Sequence, residues 1–303
     1  LIGYGVHAIN TNRHLQHLCK LTGMGYTATE LRNFRQAAHI SLEIAKSTNE
    51  SEIINLCIAQ GKSASNVFKN LKGRRAIFTV FESNILPDGW KESLETADLV
   101  ITASQWGAEI LRNSLNQIPV EVVPEGLDIN HFHHWNRTAP ASTAASRRRN
   151  EEFYFLSVGK LEDRKGIKEL LEAFSIEFSK EKHVKLRLKI HNALDRNYPQ
   201  RFQSMLPEAI SDQVTLIKSD SNQDAMSISE LANLYKSSHC FVFPSKAEGW
   251  GLPLLEAIAC GTPYIATHYS GQTEYLNLIN QQYSKIEYEM EEIKSTDFFK
   301  FHE

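Results

Sequence analysis

Apolar positions along the chain fall in short runs separated by more polar stretches, and this alternation occurs twice. In the first half, residues 53–59 (IINLCIA), 76–81 (AIFTVF), 99–103 (LVITA) and 120–123 (VEVV) are brief and mostly apolar. Runs of that kind fill strands of a parallel sheet whose two faces are both covered. Between them, residues 63–71, 89–95 and 105–114 are helical candidates. Ser104 stands where a helix N-cap accepts a backbone N–H.

The second half repeats the rhythm. Residues 153–158 (FYFLSV) predict a strand. Ile167, Leu170, Leu171, Phe174 and Phe178 then recur with the spacing that gives a helix one apolar stripe. Residues 184–190 (VKLRLKI) alternate apolar and basic, which marks a half-exposed strand. Further strands are predicted at 214–217, 240–243 and 264–267, and helices at 228–236 and 254–259. Strand and helix alternating in this way predict an α/β protein of two domains, each with a mostly parallel sheet.

Length and composition agree. A chain of 303 residues holds two domains of about 150 residues each. Residues 136–150 (NRTAPASTAASRRRN) are small, polar and then basic, with no apolar period, and read as the linker. The expected division is therefore an N-terminal domain over 1–135, a linker over 136–150, a C-terminal domain over 151–285 and a polar, acidic tail over 286–303. Basic and acidic residues number 33 and 36, for a net charge of −3, so the basic excess of a nucleic-acid binder is missing. No run of 18 apolar residues occurs, and no spanning helix is expected. No signal peptide is visible, and the expected location is cytoplasmic. Cys19, Cys57, Cys240 and Cys260 form no C-x-x-C pair, and the last three sit in apolar stretches as small buried hydrophobes.

Candidate chemistry is densest over residues 241–274 (FVFPSKAEGWGLPLLEAIACGTPYIATHYSGQTE). A buried strand ends near Pro244, a loop carries Glu248, Gly249 and Gly251, and Pro253 suits the first turn of a following helix. A strand, glycine loop and helix N-terminus in series offer backbone N–H groups and a positive dipole end to an anion such as phosphate. Two carboxylates frame the loop, Glu248 and Glu256, with seven residues between them. A carboxylate beside a phosphate site needs another task, and accepting hydrogen bonds from paired sugar hydroxyls is one. Glu256 can hold a ribose in this way and Glu248 a second sugar. The alternatives are a loop cap for Glu248 and a surface helix position for Glu256.

The run EGWGLPLLE, followed by A-x-A-x-G-x-P and SGQTE, resembles the signature of retaining glycosyltransferases of the GT-B fold, in particular family 4, the group 1 glycosyl transferases. The resemblance implies GT-B architecture: two Rossmann-like α/β domains facing a cleft, the acceptor side N-terminal and the nucleotide-sugar side C-terminal. It implies that Glu248 contacts donor-sugar hydroxyls and that Glu256 binds the nucleotide ribose. The backbone of Gly249, Trp250, Gly251 and Leu252 would face the sugar and the diphosphate. Residues 157–166 (SVGKLEDRKG) are similar to the family's G-R-L-x-x-x-K-G. Lys165 matches the diphosphate-binding Lys, whereas Lys160 stands where Arg is usual, keeping the charge without the bidentate fork. Arg164 beside it either compensates or faces solvent. Gly3 and Gly5, in G-x-G-x-x-A, resemble the N-terminal glycine loop that approaches the donor diphosphate. The strand that precedes that loop in the family is absent, and little follows Glu274, so the chain is expected to be an incomplete two-domain enzyme. Residues 82–90 (ESNILPDGW) and 123–128 (VPEGLD) resemble the second part of the family's N-terminal domain, with Glu82 either facing a sugar or structural.

The resemblance implies a retaining hexosyltransferase that moves a sugar from a nucleoside diphosphate sugar to an acceptor hydroxyl. The acceptor would be a sugar, a polysaccharide or a lipid-linked sugar, the last with peripheral membrane contact. No nucleic-acid partner is expected. No D-x-D motif occurs, in keeping with metal-independent chemistry, and no cofactor or metal is expected. The alternative is a GT-B-like protein that binds a nucleotide or sugar and transfers nothing. His131, His133 and His134 are better read as a solvated turn than as metal ligands. Gly61-Lys62-Ser63 imitates the end of a phosphate loop, but Leu56 occupies the place of the required first glycine.

Overall fold

The computed structural model describes residues 54–138, 151–190, 197–217, 226–279 and 283–291. The chain divides into two compact units, Leu1–Asp128 and Ile129–Glu303. Gly3, Gly5 and most of the predicted linker lie outside the described residues.

The first unit carries β1 (Ile54–Ile58), α1 (Ala64–Phe68), β2 (Arg74–Phe78), α2 (Trp90–Leu94), β3 (Leu99–Thr102), α3 (Gln105–Ser114) and β4 (Val120–Val122). Its strands pair in parallel in the order β1-β2-β3-β4. The apolar runs supply the core: Cys57, Ile77, Val100 and Val120 from the strands meet Phe68, Leu94, Ala108 and Leu111 from the helices. Ser104 caps α3, its Oγ accepting the Gly107 N–H at 3.1 Å. Strand β2 begins two residues before the apolar run because its charged start is paired. The Arg75 N–H and guanidinium both bond Asp98, at 2.8 and 3.2 Å. A Cβ on Gly61 would lie 2.4 Å from the Trp90 ring. That glycine serves close packing of Trp90, which accounts for the phosphate-loop look-alike.

The second unit carries β5 (Phe153–Gly159), α4 (Ile167–Phe178), β6 (Val184–Ile190), α5 (Tyr198–Met205), β7 (Val214–Leu216), α6 (Ile228–Lys236), β8 (Cys240–Phe243), α7 (Leu252–Ala259), β9 (Tyr264–Thr267), α8 (Thr273–Leu276) and β10 (Ser284–Ile286). The sheet is all-parallel in the order β10-β9-β8-β5-β6-β7. Strand β6 has the predicted alternation: Val184, Leu186, Leu188 and Ile190 are buried with Leu170, Leu171 and Phe174 of α4, while Lys185, Arg187 and Lys189 are half-exposed. Residues 129–138 pack on this unit. Phe132 is buried 6.2 Å from the Tyr235 ring, and Arg137 donates to the Ser238 carbonyl at 3.0 Å. The short edge strand β10 runs across the expected boundary between the C-terminal domain and the tail.

Cys57, Cys240 and Cys260 are free and buried. Burial pushes the Cys240 thiol up to about 12 and Cys260 to about 11, so both stay neutral and serve as small apolar groups.

Candidate functional site

The strand order of the second unit creates a switch point. From β5 the chain runs outward to β6 and β7, then returns to the other side of β5 for β8, β9 and β10. Ligands of open α/β sheets gather outside the carboxyl ends of the strands where the order reverses. Here that place lies between β5 and β8. The loop after β5 brings Lys160, Arg164 and Lys165, and the loop after β8 brings Glu248 through Leu252.

Glu248 is the centre of the arrangement. It is 5% exposed and paired with two cations: Lys165 Nζ bonds Oε1, and Arg164 Nη1 lies 3.1 Å from Oε2. Ser245 Oγ also donates to Oε1. Burial alone would raise this carboxyl. The adjacent Lys165 and Arg164 overcome it and hold the group at about 2, so Glu248 is ionised at neutral pH. The charge survives burial because it is fully paired.

Arg164 is itself buried, and its guanidinium faces inward. Nη1 donates to the Ala247 carbonyl at 2.8 Å, and Nη2 to Glu162 Oε2 at 3.1 Å. Lys160 lies 3.5 Å from the other oxygen of Glu162. Backbone bonds join the two loops, with the Lys246 N–H donating to the Arg164 carbonyl at 2.8 Å.

The glycine loop turns into α7 at Gly251, whose φ of +86° favours glycine. A Cβ there would also meet Tyr275 Oη at 2.9 Å. The Trp250 side chain is buried edge-on against Tyr275, with ring centroids 5.2 Å apart, so the loop offers its backbone rather than the indole. Leu252 opens the helix, and Pro253 occupies its first turn, where a missing N–H costs nothing.

Glu256 stands one turn further on. Its carboxylate accepts a bond from Tyr235 Oη at 2.8 Å. Burial raises the carboxyl to about 7, and the Tyr235 hydroxyl only partly offsets that. The two glutamates of one motif thus differ in state: Glu248 is firmly ionised, while Glu256 is half-titrated near neutrality. A carboxyl raised in the folded state binds more protons folded than unfolded between about 4.5 and about 7. Its contribution to stability therefore falls as pH rises through that window. Glu256→Gln is expected to flatten this slope in urea melts between pH 5 and 8.

Other candidate groups do not join this cluster. His131 Nδ1 lies 3.2 Å from Ser229 Oγ, and His133 and His134 pack on Trp135. Among the described residues no group of three His, Cys, Asp or Glu is placed to hold a metal ion. No helix among them is long and apolar enough to cross a membrane. Glu82 follows the buried Phe81, which packs on Trp90 and Trp106 at 5.7 and 6.0 Å.

The chain resembles known proteins in sequence and in fold. A family model described as glycosyl transferases group 1 matches residues 140–295. The D-inositol 3-phosphate glycosyltransferase of Pseudarthrobacter chlorophenolicus is 29% identical over 183 residues, covering 59% of this chain and 39% of that protein. Mannosylfructose-phosphate synthase of Agrobacterium fabrum is 25% identical over 189 residues, covering 58% and 39%. The chain therefore spans well under half the length of these curated relatives. Among solved structures, Anabaena HepE in complex with UDP and glucose aligns with a TM-score of 0.62 at 15% identity, over 92% of this chain and 80% of that one. Sucrose-phosphate synthase of Thermosynechococcus elongatus aligns with a TM-score of 0.53 at 20% identity, over 80% and 61%. The fold is that of the GT-B glycosyltransferases.

Proposed function

The chain belongs to the glycosyl transferases group 1 family, and on that premise we propose that it transfers a hexose from a nucleoside diphosphate sugar to an acceptor hydroxyl with retention of configuration. The observation that carries this reading is the buried, ionised Glu248 held between Lys165 and Arg164 at the switch point, eight positions before Glu256 on the adjoining helix.

Each group has a task that its environment suits. Glu248 is an acceptor-only carboxylate and takes hydrogen bonds from donor-sugar hydroxyls. Glu256 accepts from the ribose hydroxyls. Lys165, bonded to the carboxylate of Glu248, neutralises charge as the nucleoside diphosphate leaves, together with Lys160 and the backbone amides of Trp250, Gly251 and Leu252. Arg164, turned inward, holds Glu248 in place. The acceptor hydroxyl attacks on the face that the nucleoside diphosphate vacates.

The test begins with melting curves in the presence of UDP, GDP and ADP. One of these is expected to raise the melting temperature, and the matching nucleotide sugar is expected to release its nucleoside diphosphate in the presence of an acceptor. Binding with no release across a panel of acceptors would instead mark a non-catalytic nucleotide-sugar binder. A ribose held by the Glu256 carboxylate also predicts a pH effect. Affinity for the bound nucleotide should weaken as pH falls from 8 to 6, through the value of about 7 at which Glu256 takes up a proton. Calorimetry on Glu256→Gln should show weaker binding with that pH dependence removed.

A further inference from the structure

Besides the loop that brings Lys165 and Arg164, one other loop meets Glu248, and the proposed chemistry does not use it. This loop, residues 268–272, follows β9 and is welded to the backbone behind the carboxylate. The Glu248 N–H donates to Ser270 Oγ at 2.8 Å. The Gly271 N–H donates to the Glu248 carbonyl at 2.9 Å. A Cβ on Gly271 would lie 2.1 Å from the Gly249 carbonyl oxygen, so the loops touch backbone to backbone.

Ser270 is 2% exposed, and its hydroxyl hydrogen goes to the Tyr269 carbonyl at 2.7 Å. Its oxygen lone pairs are therefore what face the Glu248 N–H. The residue sits at φ +63°, in the left-handed region that glycine occupies without strain. A serine tolerates that strain here and supplies an acceptor that glycine lacks. No other residue in this loop accepts from the Glu248 N–H among the contacts described.

We propose that Ser270 is a positioning residue for the transfer reaction: its hydroxyl oxygen fixes the backbone of Glu248 and so the direction from which that carboxylate meets the donor sugar. The inference rests on the reading above, in which Glu248 binds sugar hydroxyls.

Ser270→Gly tests it, because the substitution keeps the backbone conformation and removes only the acceptor. Exchange of the Glu248 amide hydrogen is expected to quicken in the variant, whatever reaction the protein catalyses. With UDP-glucose and GDP-mannose as first probes, turnover is expected to fall about tenfold, the effect of one buried hydrogen bond. Affinity for UDP or GDP alone should stay unchanged. In a Glu248→Ala background, Ser270→Gly should cause no further loss of turnover, since the group it positions is gone.

Unchanged amide exchange would overturn the proposal. So would an equal drop in affinity for the sugar-free nucleotide, or a full additional loss in the Glu248→Ala background, because either would mean a general structural role. If the wild-type protein transfers from no donor while amide exchange behaves as expected, the transferase reading falls and the positioning role falls with it. The Ser270–Glu248 contact itself would still stand.

Discussion

Lys165→Ala is expected to lower nucleotide-sugar turnover by about a hundredfold, with a smaller loss in affinity for the nucleoside diphosphate. The charge that Lys165 supplies matters most when the diphosphate departs, so its removal raises the barrier more than it weakens the ground state. A second effect follows from the pairing. Lys165 bonds Oε1 of a carboxylate that is 5% exposed, and its loss leaves Glu248 with Arg164 and Ser245 alone. Leaving a buried charge half-paired is destabilising, by about 3 kcal/mol. The sign of its pH dependence is fixed. A depressed carboxyl adds stability that is present above its ordinary value near 4.5 and lost as pH falls toward about 2. The stability gap between wild type and variant is therefore full at pH 7 and narrows below pH 4.5. Steady-state kinetics and urea melts on the same samples separate the two effects. Lys165→Arg, which keeps the charge, should recover most of the stability. Turnover of Lys165→Ala equal to that of wild type would remove the diphosphate role from this residue.

Most of this architecture was legible as pattern. Short apolar runs with no alternation mark strands buried on both faces, and eight of the ten strands among the described residues fall on such runs or overlap them. The alternation in residues 184–190 and the stripe from Ile167 to Phe178 gave one strand and one helix their full extent, because each period has a single physical reading. What escaped was structure set by context. Helix α5 has Pro199 in its first turn and buries only Phe202, so its sequence carries too little apolar signal to be read as a helix. Strand β10 is three residues long and exists because β9 offers an open edge.

The site divides in the same way. Glu248, Glu256 and Lys165 were legible through the runs EGWGLPLLE and SVGKLEDRKG, which resemble the family's motifs. Local sequence does not reveal which way a cation in a loop will turn. Arg164 and Lys160 look alike in the sequence, yet Arg164 is buried against Glu248 and Ala247, while Lys160 sits at the rim beside Glu162. The hold of Ser270 on Glu248 was equally hidden, since it joins residues 22 positions apart and depends on a left-handed serine.

Gly166→Ala is expected to damage the fold of the second unit severely. Gly166 ends the turn that carries Lys165 and begins α4, at φ +65°. A Cβ there would lie 2.3 Å from the Pro244 carbonyl oxygen, at the end of β8. Alanine thus meets two penalties at once: a left-handed backbone, at about 1 kcal/mol, and a backbone overlap that no rotamer relieves. The two loops must separate for the residue to fit. Their separation would break the bond from the Lys246 N–H to the Arg164 carbonyl and pull Arg164 and Lys165 away from Glu248. A loss of about 3 kcal/mol or more is expected, which lowers the melting temperature of a unit of this size by about 10 °C. The link between fold and function makes a sharper prediction. Because the overlap lies between the loop that carries the cations and the loop that carries the carboxylate, variant protein that remains folded at low temperature should also lose turnover. Ala257, buried in the last turn of α7, offers the contrast: Ala257→Gly should lower stability by about 1 kcal/mol through helix propensity and leave turnover close to wild type at temperatures where the protein is folded. Calorimetric melting with kinetics at 10 °C distinguishes the two. If Gly166→Ala kept full turnover in its folded fraction, the register between the loops after β5 and β8 would not be what sets the geometry of the site.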